Sequence, residues 1–506
     1  LRTPIIKLFK GKKIYKRFFT DREFTEWKKN NSTKGCKVCY YKGLASTDKK
    51  DVKDDMSYAP TIVVFYDDEA ESNLDLAFNK SKSNQRKKWM EKWRDLDVDD
   101  VVVTDIGKKT GDSLLRVQDV SSIINRGLID YSVASLFRAI PSEYDFLKES
   151  HRKALWGALE WWNYSDTTKD ELKTYQISAK VTDMARYHHG EKSMQGTMTK
   201  MTQDFIGSNN LSYFNPKGLF GSRAELGKDS GDPRYTKLHN SWWIPFVFYK
   251  ESVDIVERRI VDEDDAEPLW LPGVIPVGIM NGFLGISTGF MSSCPNHNPF
   301  DIINWIRDFL KGKETKNLVP WYNGFRGKVK VVEKKKKNEE VEIEEDDDLE
   351  EELLPEKKKE DVVDMDIDSD EEIDLEEDYE NSKNSEILKN IRNGKTSLKT
   401  YGNYRVFDIK KGNPVIEISE LPIGVATLDY YNWLETLAAE RGENKVILEL
   451  HDKSKSTNHP RFIVHWNKAV KPLGSGEQVY MTLKLRRSIG MSNISLIDHN
   501  GYPSQY

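Results

Sequence analysis

"GKDSGDPRYTKLH", residues 227–239, sets a tyrosine directly after a Pro-Arg pair at the end of a loop rich in glycine and aspartate. A tyrosine in a folded protein is ordinarily a core or rim residue whose hydroxyl finds one partner. A phenol with a pKa of about 10 becomes a nucleophile toward a phosphodiester only where nearby bases or cations favour the phenolate. The phosphoryl group being transferred also gathers charge on its non-bridging oxygens, which a fixed guanidinium can hold in bidentate fashion. Arg234 beside Tyr235 meets that second need, and Pro233 fixes one backbone dihedral just before them. Arg-Tyr pairs are common, so this stretch acquires meaning only from its flanks.

Upstream lies a strong helix, "FLKESHRKALWGALEWW", whose apolar face includes Ala154, Leu155, Ala158, Leu159 and Trp162. Two further helical stretches, "ISAKVTDMAR" and "SMQGTMTKMTQDFI", flank the turn "YHHGE". Short helices followed by a loop and an extended segment read as a winged-helix module, predicted over 121–265. Residues 1–60 alternate short apolar runs with the helix-like "DREFTEWKKN", in the manner of the closing half of a small α/β domain. Residues 61–120 read as a basic helical linker, with "DLAFNKSKSNQRKKWMEKWRDL" an exposed helix pair. Beyond Tyr235 the chain is β-rich over 266–332 and 383–506, interrupted at 333–382 by an acidic run with few aromatics and no period, which reads as disordered.

At 506 residues the chain exceeds what one core supports. It begins at Leu1 and stops at Tyr506 without a tapering tail, so it reads as a piece of something longer. No stretch reaches the roughly 20 apolar residues of a membrane span, and no charged-then-apolar start resembles a signal peptide, so a soluble, intracellular chain with no membrane partner is expected. Three cysteines are too few for a disulfide framework, and "CKVC" (Cys36, Cys39) reads as two incidental thiols. The net charge of −6 hides a strong division: Glu339–Glu380 holds 25 acidic residues against 3 lysines, leaving +16 on the rest. A basic body with one acidic insert is compatible with a nucleic-acid partner.

Read together and in order, the segments carry a resemblance. "YHHGE", "QDFIGSNN", "GLFGSRAELGKD" and "DPRY" resemble the breakage-reunion core of the eukaryotic-type branch of the type IIA DNA topoisomerases. "YYKGLAST", "RAIPSEYDFLKESHRKAL", "IPVGIMNGFLGISTGF", "IEISELP" and "SLIDHNG" extend the likeness over nearly the whole chain apart from the acidic insert. The resemblance implies an α+β multidomain fold, made of the C-terminal part of a TOPRIM α/β domain, a winged-helix domain and a β-rich tower or shoulder domain.

Carried over by resemblance, Tyr235 is the nucleophile that forms a transient phosphotyrosyl bond to a DNA 5′ end, and Arg234 stabilises the transition state. His188 and His189 hold the scissile segment, with a helix-terminal cap as their bland reading. Arg138, Lys148, Arg152, Lys153, Arg223 and Lys228 are expected phosphate contacts, each with a solvated surface charge as its rival. Lys42 is placed near the cleavage site, and Ile286 as the apolar wedge that bends the duplex. Three places depart from the family's pattern: Ala45 and Phe146 stand where it has glycine, and Glu149-Ser150 where it has Pro-Gly.

The implied protein is an ATP-dependent homodimer acting on double-stranded DNA with Mg2+. The Mg2+ ligands, expected as Glu-Gly-Asp and Asp-x-Asp motifs, and the ATP-binding domain are expected outside this stretch; no complete G-x4-G-K-[ST] loop occurs. The fragment alone is expected to bind DNA and cleave it poorly. Its place would be the nucleus if cellular, or a viral replication site if viral, with a protist or a large DNA virus suiting the low-complexity insert. Two rivals remain at this level, namely a non-catalytic winged-helix DNA-binding protein and a break-forming transesterase without strand passage.

Overall fold

The structure is a computed structural model that describes residues 4–41, 49–50, 52–53, 62–95, 104–105, 116–165, 171–261, 264–316, 318–333, 372–373, 396–410, 412–490, 494–498 and 501–505. The chain begins with an antiparallel sheet of order β2-β1-β3, formed by β1 (Ile6–Lys10), β2 (Lys13–Phe18) and β3 (Lys37–Tyr40). Helix α1 (Asp21–Asn30) starts where Thr20 accepts the Glu23 amide at 3.0 Å, and it lays Phe24 and Trp27 against the buried Ile6, Leu8 and Phe18. Cys36, Cys39 and Cys294 are free thiols.

The next segment is not only helical. A sheet of order β4-β6-β5 joins β4 (Ile62–Phe65), β5 (Thr104–Asp105) and β6 (Arg116–Asp119), with β4 and β6 parallel. The run of β-branched residues in "TIVVF" explains β4, which charge counting along the segment overlooks. Helices α2 (Ala70–Phe78) and α3 (Ser83–Glu91) follow β4, but they are not an exposed pair. Trp89 and Met90 are buried with Ile129, Val133 and Leu136 of α4 (Ile129–Ala139), and Trp89 Nε1 donates to Asn125 Oδ1 at 2.8 Å.

The largest core sits around α5 (Glu149–Trp161), α6 (Thr174–Met184) and α7 (Glu191–Thr202). Their apolar positions recur at helical spacing, so Ala154, Leu155, Ala158, Leu159, Ile177, Val181, Met194 and Met198 all face inward. Gly157 is required where α5 crosses α6, because a Cβ there would lie 2.9 Å from Val181 Cγ2. Against these helices packs an antiparallel sheet of order β7-β9-β8, from β7 (Leu172–Lys173), β8 (Phe214–Lys217) and β9 (Lys237–Asn240). The long loop between β8 and β9 carries Tyr235.

Two hairpins follow, β10 (Arg258–Val261) with β11 (Asp264–Pro268) and β12 (Phe283–Ser287) with β13 (Phe290–Cys294), then helix α8 (Pro299–Leu310). The remainder is β-rich. One sheet has order β15-β14-β16-β21, from β14 (Lys328–Glu333), β15 (Glu372–Ile373), β16 (Thr396–Tyr401) and β21 (Arg486–Gly490). A second has order β17-β18-β20-β19, from β17 (Asn403–Lys410), β18 (Asn413–Glu420), β19 (Ile447–Asp452) and β20 (Phe462–Trp466), and α9 (Thr427–Ala439) shares its core.

Apart from Glu333 and Glu372–Ile373, the acidic insert lies outside the described residues. Near the end of the chain, Ile497 donates to Pro141 O at 2.8 Å and accepts from the Glu143 amide at 2.9 Å, closing onto the turn between α4 and α5. Among the described residues no helix is long and apolar enough to cross a membrane.

Candidate functional site

The loop before β9 is built from backbone contacts that leave its tyrosine outside. Gly221 and Gly227 both have positive φ, and a Cβ on Gly221 would fall 2.5 Å from Gly227 Cα, so two strands of the loop touch without side chains between them. Gln203, at the end of α7, pins this crossing by donating to Phe220 O at 3.0 Å and Gly227 O at 3.3 Å. Asp229 accepts from the Ser222 amide at 2.8 Å and its hydroxyl at 2.6 Å. Asp232 then caps the final turn. Its carboxylate accepts the Arg234 amide at 2.8 Å, and its carbonyl accepts the Tyr235 amide at 2.8 Å.

The result is a fixed backbone with a free side chain. Tyr235 is 83 % exposed, and Arg234 beside it is exposed as well. The Pro233 carbonyl accepts the Tyr175 amide at 3.2 Å and the Thr236 carbonyl the Thr174 amide at 3.0 Å, which ties both ends of the Pro-Arg-Tyr unit to the start of α6. A phenol held this way can meet a reactant without any movement of the scaffold.

A second exposed group forms where α4 ends. Arg138 in the last turn of α4 lies 3.4 Å from His189 Nε2, and the His189 ring stands edge-on to Tyr187 at 5.1 Å between centroids. Desolvation, with Arg138 the next cause, lowers the pKa of His189 and keeps its ring neutral, able to accept from a guanidinium or donate to a phosphate oxygen. His188 is also exposed on the same turn. Gly285 packs directly on this helix end, since a Cβ there would sit 2.4 Å from Ala139 O. That contact fixes the β12–β13 hairpin, whose Ile286 is 64 % exposed although it is an isoleucine in a paired strand. The structure therefore brings Arg138, His189 and the Ile286 hairpin together. Lys42 lies outside the described residues, as does Ala45.

Three of the expected phosphate contacts are corrected. Arg223 is fully buried: it donates to Glu420 Oε1 at 2.6 Å, Leu421 O at 2.7 Å and Asn458 O at 3.2 Å, bolting the tyrosine loop to the second β-rich sheet. Arg152 makes a bidentate pair with the buried Asp145, at 2.6 and 2.9 Å. Lys153 donates to Glu267 at 2.5 Å and Ala185 O at 2.7 Å with 2 % of its surface exposed. A cation buried against a carboxylate is already neutralised and is not presented at the surface to a phosphate. Lys228 remains exposed, and Lys148 half-buried at the start of α5.

The loop entering α5 explains a sequence departure. Phe146 has φ 55°, a region glycine enters freely and phenylalanine at a cost of about 1–2 kcal/mol. Its backbone is pressed against Gly278, where a Cβ would lie 2.3 Å from Phe146 Cβ, and its ring stacks on Phe283 at 6.4 Å. Stacking on the wedge hairpin offsets part of that cost. Glu149 contacts Arg259 at 3.3 Å. Lys148 is lowered by desolvation and by Lys200, while burial and then Lys148, Lys200 and Arg152 push His151 down to about 3, so His151 is neutral at physiological pH.

Asp145, Glu267, Glu420 and Gln203 organise this region and have no local signature. Their partners lie 7, 114, 197 and 24 residues away respectively. The one hint was the density of cations in a segment too apolar to be a solvated face.

Residues 138–364 and 369–506 match the family model for the A-type subunit of DNA gyrase and topoisomerase IV, and residues 1–136 match that of the C-terminal associated domain of TOPRIM. The chain is 34% identical over 330 residues to a probable DNA topoisomerase 2 of Dictyostelium discoideum, covering 65% of this chain and 21% of that protein. It is 29% identical over 504 residues to DNA topoisomerase 2 of Plasmodium falciparum, covering 98% of this chain and 30% of that protein. A viral relative, DNA topoisomerase 2 of Invertebrate iridescent virus 6, is 31% identical over 345 residues, covering 65% of this chain and 28% of that protein. Among solved structures, the Plasmodium falciparum topoisomerase II DNA-binding, cleavage and re-ligation domain superposes with a TM-score of 0.68 at 27% identity, covering 100% of this chain and 58% of that one. The chain thus spans less than a third of the length of each of these three curated relatives.

Proposed function

The chain belongs to the DNA gyrase/topoisomerase IV family, and from that premise we propose that it is the DNA-gate core of a type II DNA topoisomerase. The observation that carries the reading is the side chain of Tyr235, 83 % exposed on a backbone fixed from both sides. In the proposed step the Tyr235 oxygen attacks a backbone phosphorus of double-stranded DNA. The phenol gives up its proton as the new O–P bond joins the tyrosine to the 5′ end, and the P–O3′ bond breaks with the 3′ oxygen taking up a proton, so no net proton is gained or lost. Arg234 steadies the non-bridging oxygens as charge builds on them. One phosphodiester is exchanged for another ester of similar energy, so resealing reverses the step without a second energy source.

Around that step the proposed domains are the C-terminal part of TOPRIM at 1–60, a linker at 61–120, the winged helix at 121–265 and the tower at 266–332 and 383–506. The three helices against the β7-β9-β8 sheet support the winged helix, with Arg138, Lys148, His188, His189 and Lys228 on the DNA and Ile286 as the wedge. A double-strand break needs two such tyrosines, hence a homodimer. Relatives of the chain come from eukaryotes and from viruses, which supports nuclear or viral replication sites.

Mg2+ and ATP belong to the proposal for the whole protein. When bound, Mg2+ would polarise the leaving oxygen. Among the described residues no group of three or more His, Cys, Asp and Glu donors close enough to share an ion lies at Tyr235, and the Mg2+ ligands are expected outside this stretch.

The test uses the full-length protein with Mg2+ and supercoiled plasmid, stopped with denaturant and digested with protease. Protein-linked linear DNA is expected from the wild type and none from Tyr235→Phe. DNA binding by the wild type with no covalent adduct would favour instead a DNA-binding protein that has lost cleavage.

A further inference from the structure

A cluster of metal-ligating groups lies on the second β-rich sheet, away from the tyrosine loop. Glu449 and His451 sit on the edge strand β19, and His465 on its neighbour β20. Glu449 is directly opposite His465 in the ladder, and the two imidazoles are diagonal neighbours with ring centroids 6.0 Å apart. One donor atom from each residue lies within 4.8 Å of the others.

The backbone is arranged to produce this. Strict alternation would send Glu449 and His451 to the same face as the buried Ile447. A register shift between Ile447 and Glu449 inserts one residue and turns both to the outer face, while Leu450 packs inward on the core. Bulges at sheet edges commonly re-aim side chains in this manner.

The distances favour an ion over hydrogen bonds. Glu449 Oε2 is 3.7 Å from His451 Nε2 and 3.6 Å from His465 Nε2, too far for either hydrogen bond. Four ligands at about 2.0–2.1 Å from a tetrahedral ion stand roughly 3.3–3.4 Å apart. Small side-chain rotations close that gap, and His465, only 13 % exposed, gives the site one fixed ligand.

We infer that Glu449, His451 and His465 form a binding site for a divalent transition-metal ion of the zinc class. Two imidazoles and one carboxylate suit zinc and exclude magnesium, which takes oxygen ligands in octahedral geometry. Three protein ligands leave one position for water. The ion would clip the edge strand β19 to β20.

The experiment is a Zn2+ titration of the full-length protein against a chromophoric chelator, with Mg2+ in excess to occupy oxygen sites, repeated with Co2+ to read the tetrahedral ligand-field band. The wild type is expected to take up one more equivalent per chain than His451→Ala/His465→Gln, with the Co2+ band reduced in the variant. Glu449→Gln, at an exposed position where folding is safe, removes a ligand and should weaken that equivalent by more than the roughly ten- to hundredfold that loss of an outer-shell partner costs. Equal stoichiometry and equal affinity in the wild type and Glu449→Gln would overturn the site, whether or not the double variant folds.

Discussion

Two sets of cations come from the segments flanking the proposed nucleophile in sequence, and they are put to opposite uses. Arg234 and Lys228 lie exposed on the tyrosine loop, whereas Arg152, Lys153 and Arg223, drawn from equally motif-like stretches, are buried on Asp145, Glu267 and Glu420. The exposed set can trade water for a phosphate at little cost. The buried set has already traded water for a carboxylate, and removing one partner strands the other. A basic residue within a functional motif can therefore serve the ligand or the scaffold that aims at it.

The division can be broken by substitution. The largest effect is expected at the scaffold: Lys153→Met leaves the buried Glu267 with only Arg259, at 3.4 Å, and should cost about 3 kcal/mol in thermal or denaturant unfolding. Lys153→Met/Glu267→Met should recover most of that loss, because a buried pair replaced by apolar groups is often nearly neutral. A Lys153→Met variant of normal stability and reduced DNA affinity would move Lys153 into the exposed set.

Next comes Arg234→Ala. Cleavage in the full-length protein should fall by about 10²–10³ in rate, as when one charge-stabilising donor is removed, with unfolding unchanged. A smaller step follows at Lys228→Ala, which should flatten the dependence of log affinity on log salt by about 0.9, with no change in cleavage per bound complex.

The subtlest prediction concerns pH. His151 titrates near 6.5 in an unfolded chain and is held down to about 3 when folded, so between those values the unfolded state binds the extra proton. Its contribution is present above pH about 6.5 and is lost progressively as pH falls toward 3. His151→Gln should therefore flatten the acid limb of the stability curve while Lys148, Lys200 and Arg152 still face the site. An unchanged acid limb would show that folding does not hold His151 neutral.

Much of the site was legible in the sequence because its parts are local. Asp232, Pro233, Arg234 and Tyr235 are consecutive, and the glycines of their loop announce the close backbone approach seen at Gly221 and Gly227. The helices of the largest core were legible from their apolar spacing, and the departure at Phe146 marks the place where the backbone turns left-handed. Long-range pairing was not legible. Nothing near Arg223 or Lys153 names Glu420 or Glu267, which lie 197 and 114 residues away. Trp89 was hidden for a related reason: its lysine-rich helix looks solvated, and only the fold supplies Asn125 and the buried face of α4.

The atom that takes the phosphate decides whether the exposed tyrosine is the nucleophile. Trapped complexes of the full-length protein, digested with nuclease and protease and read by tandem mass spectrometry, should give one nucleotide-bearing peptide, with the added mass on Tyr235 within Asp229–Lys237. A nucleotide on any other residue, or linked DNA that survives Tyr235→Phe, would contradict it.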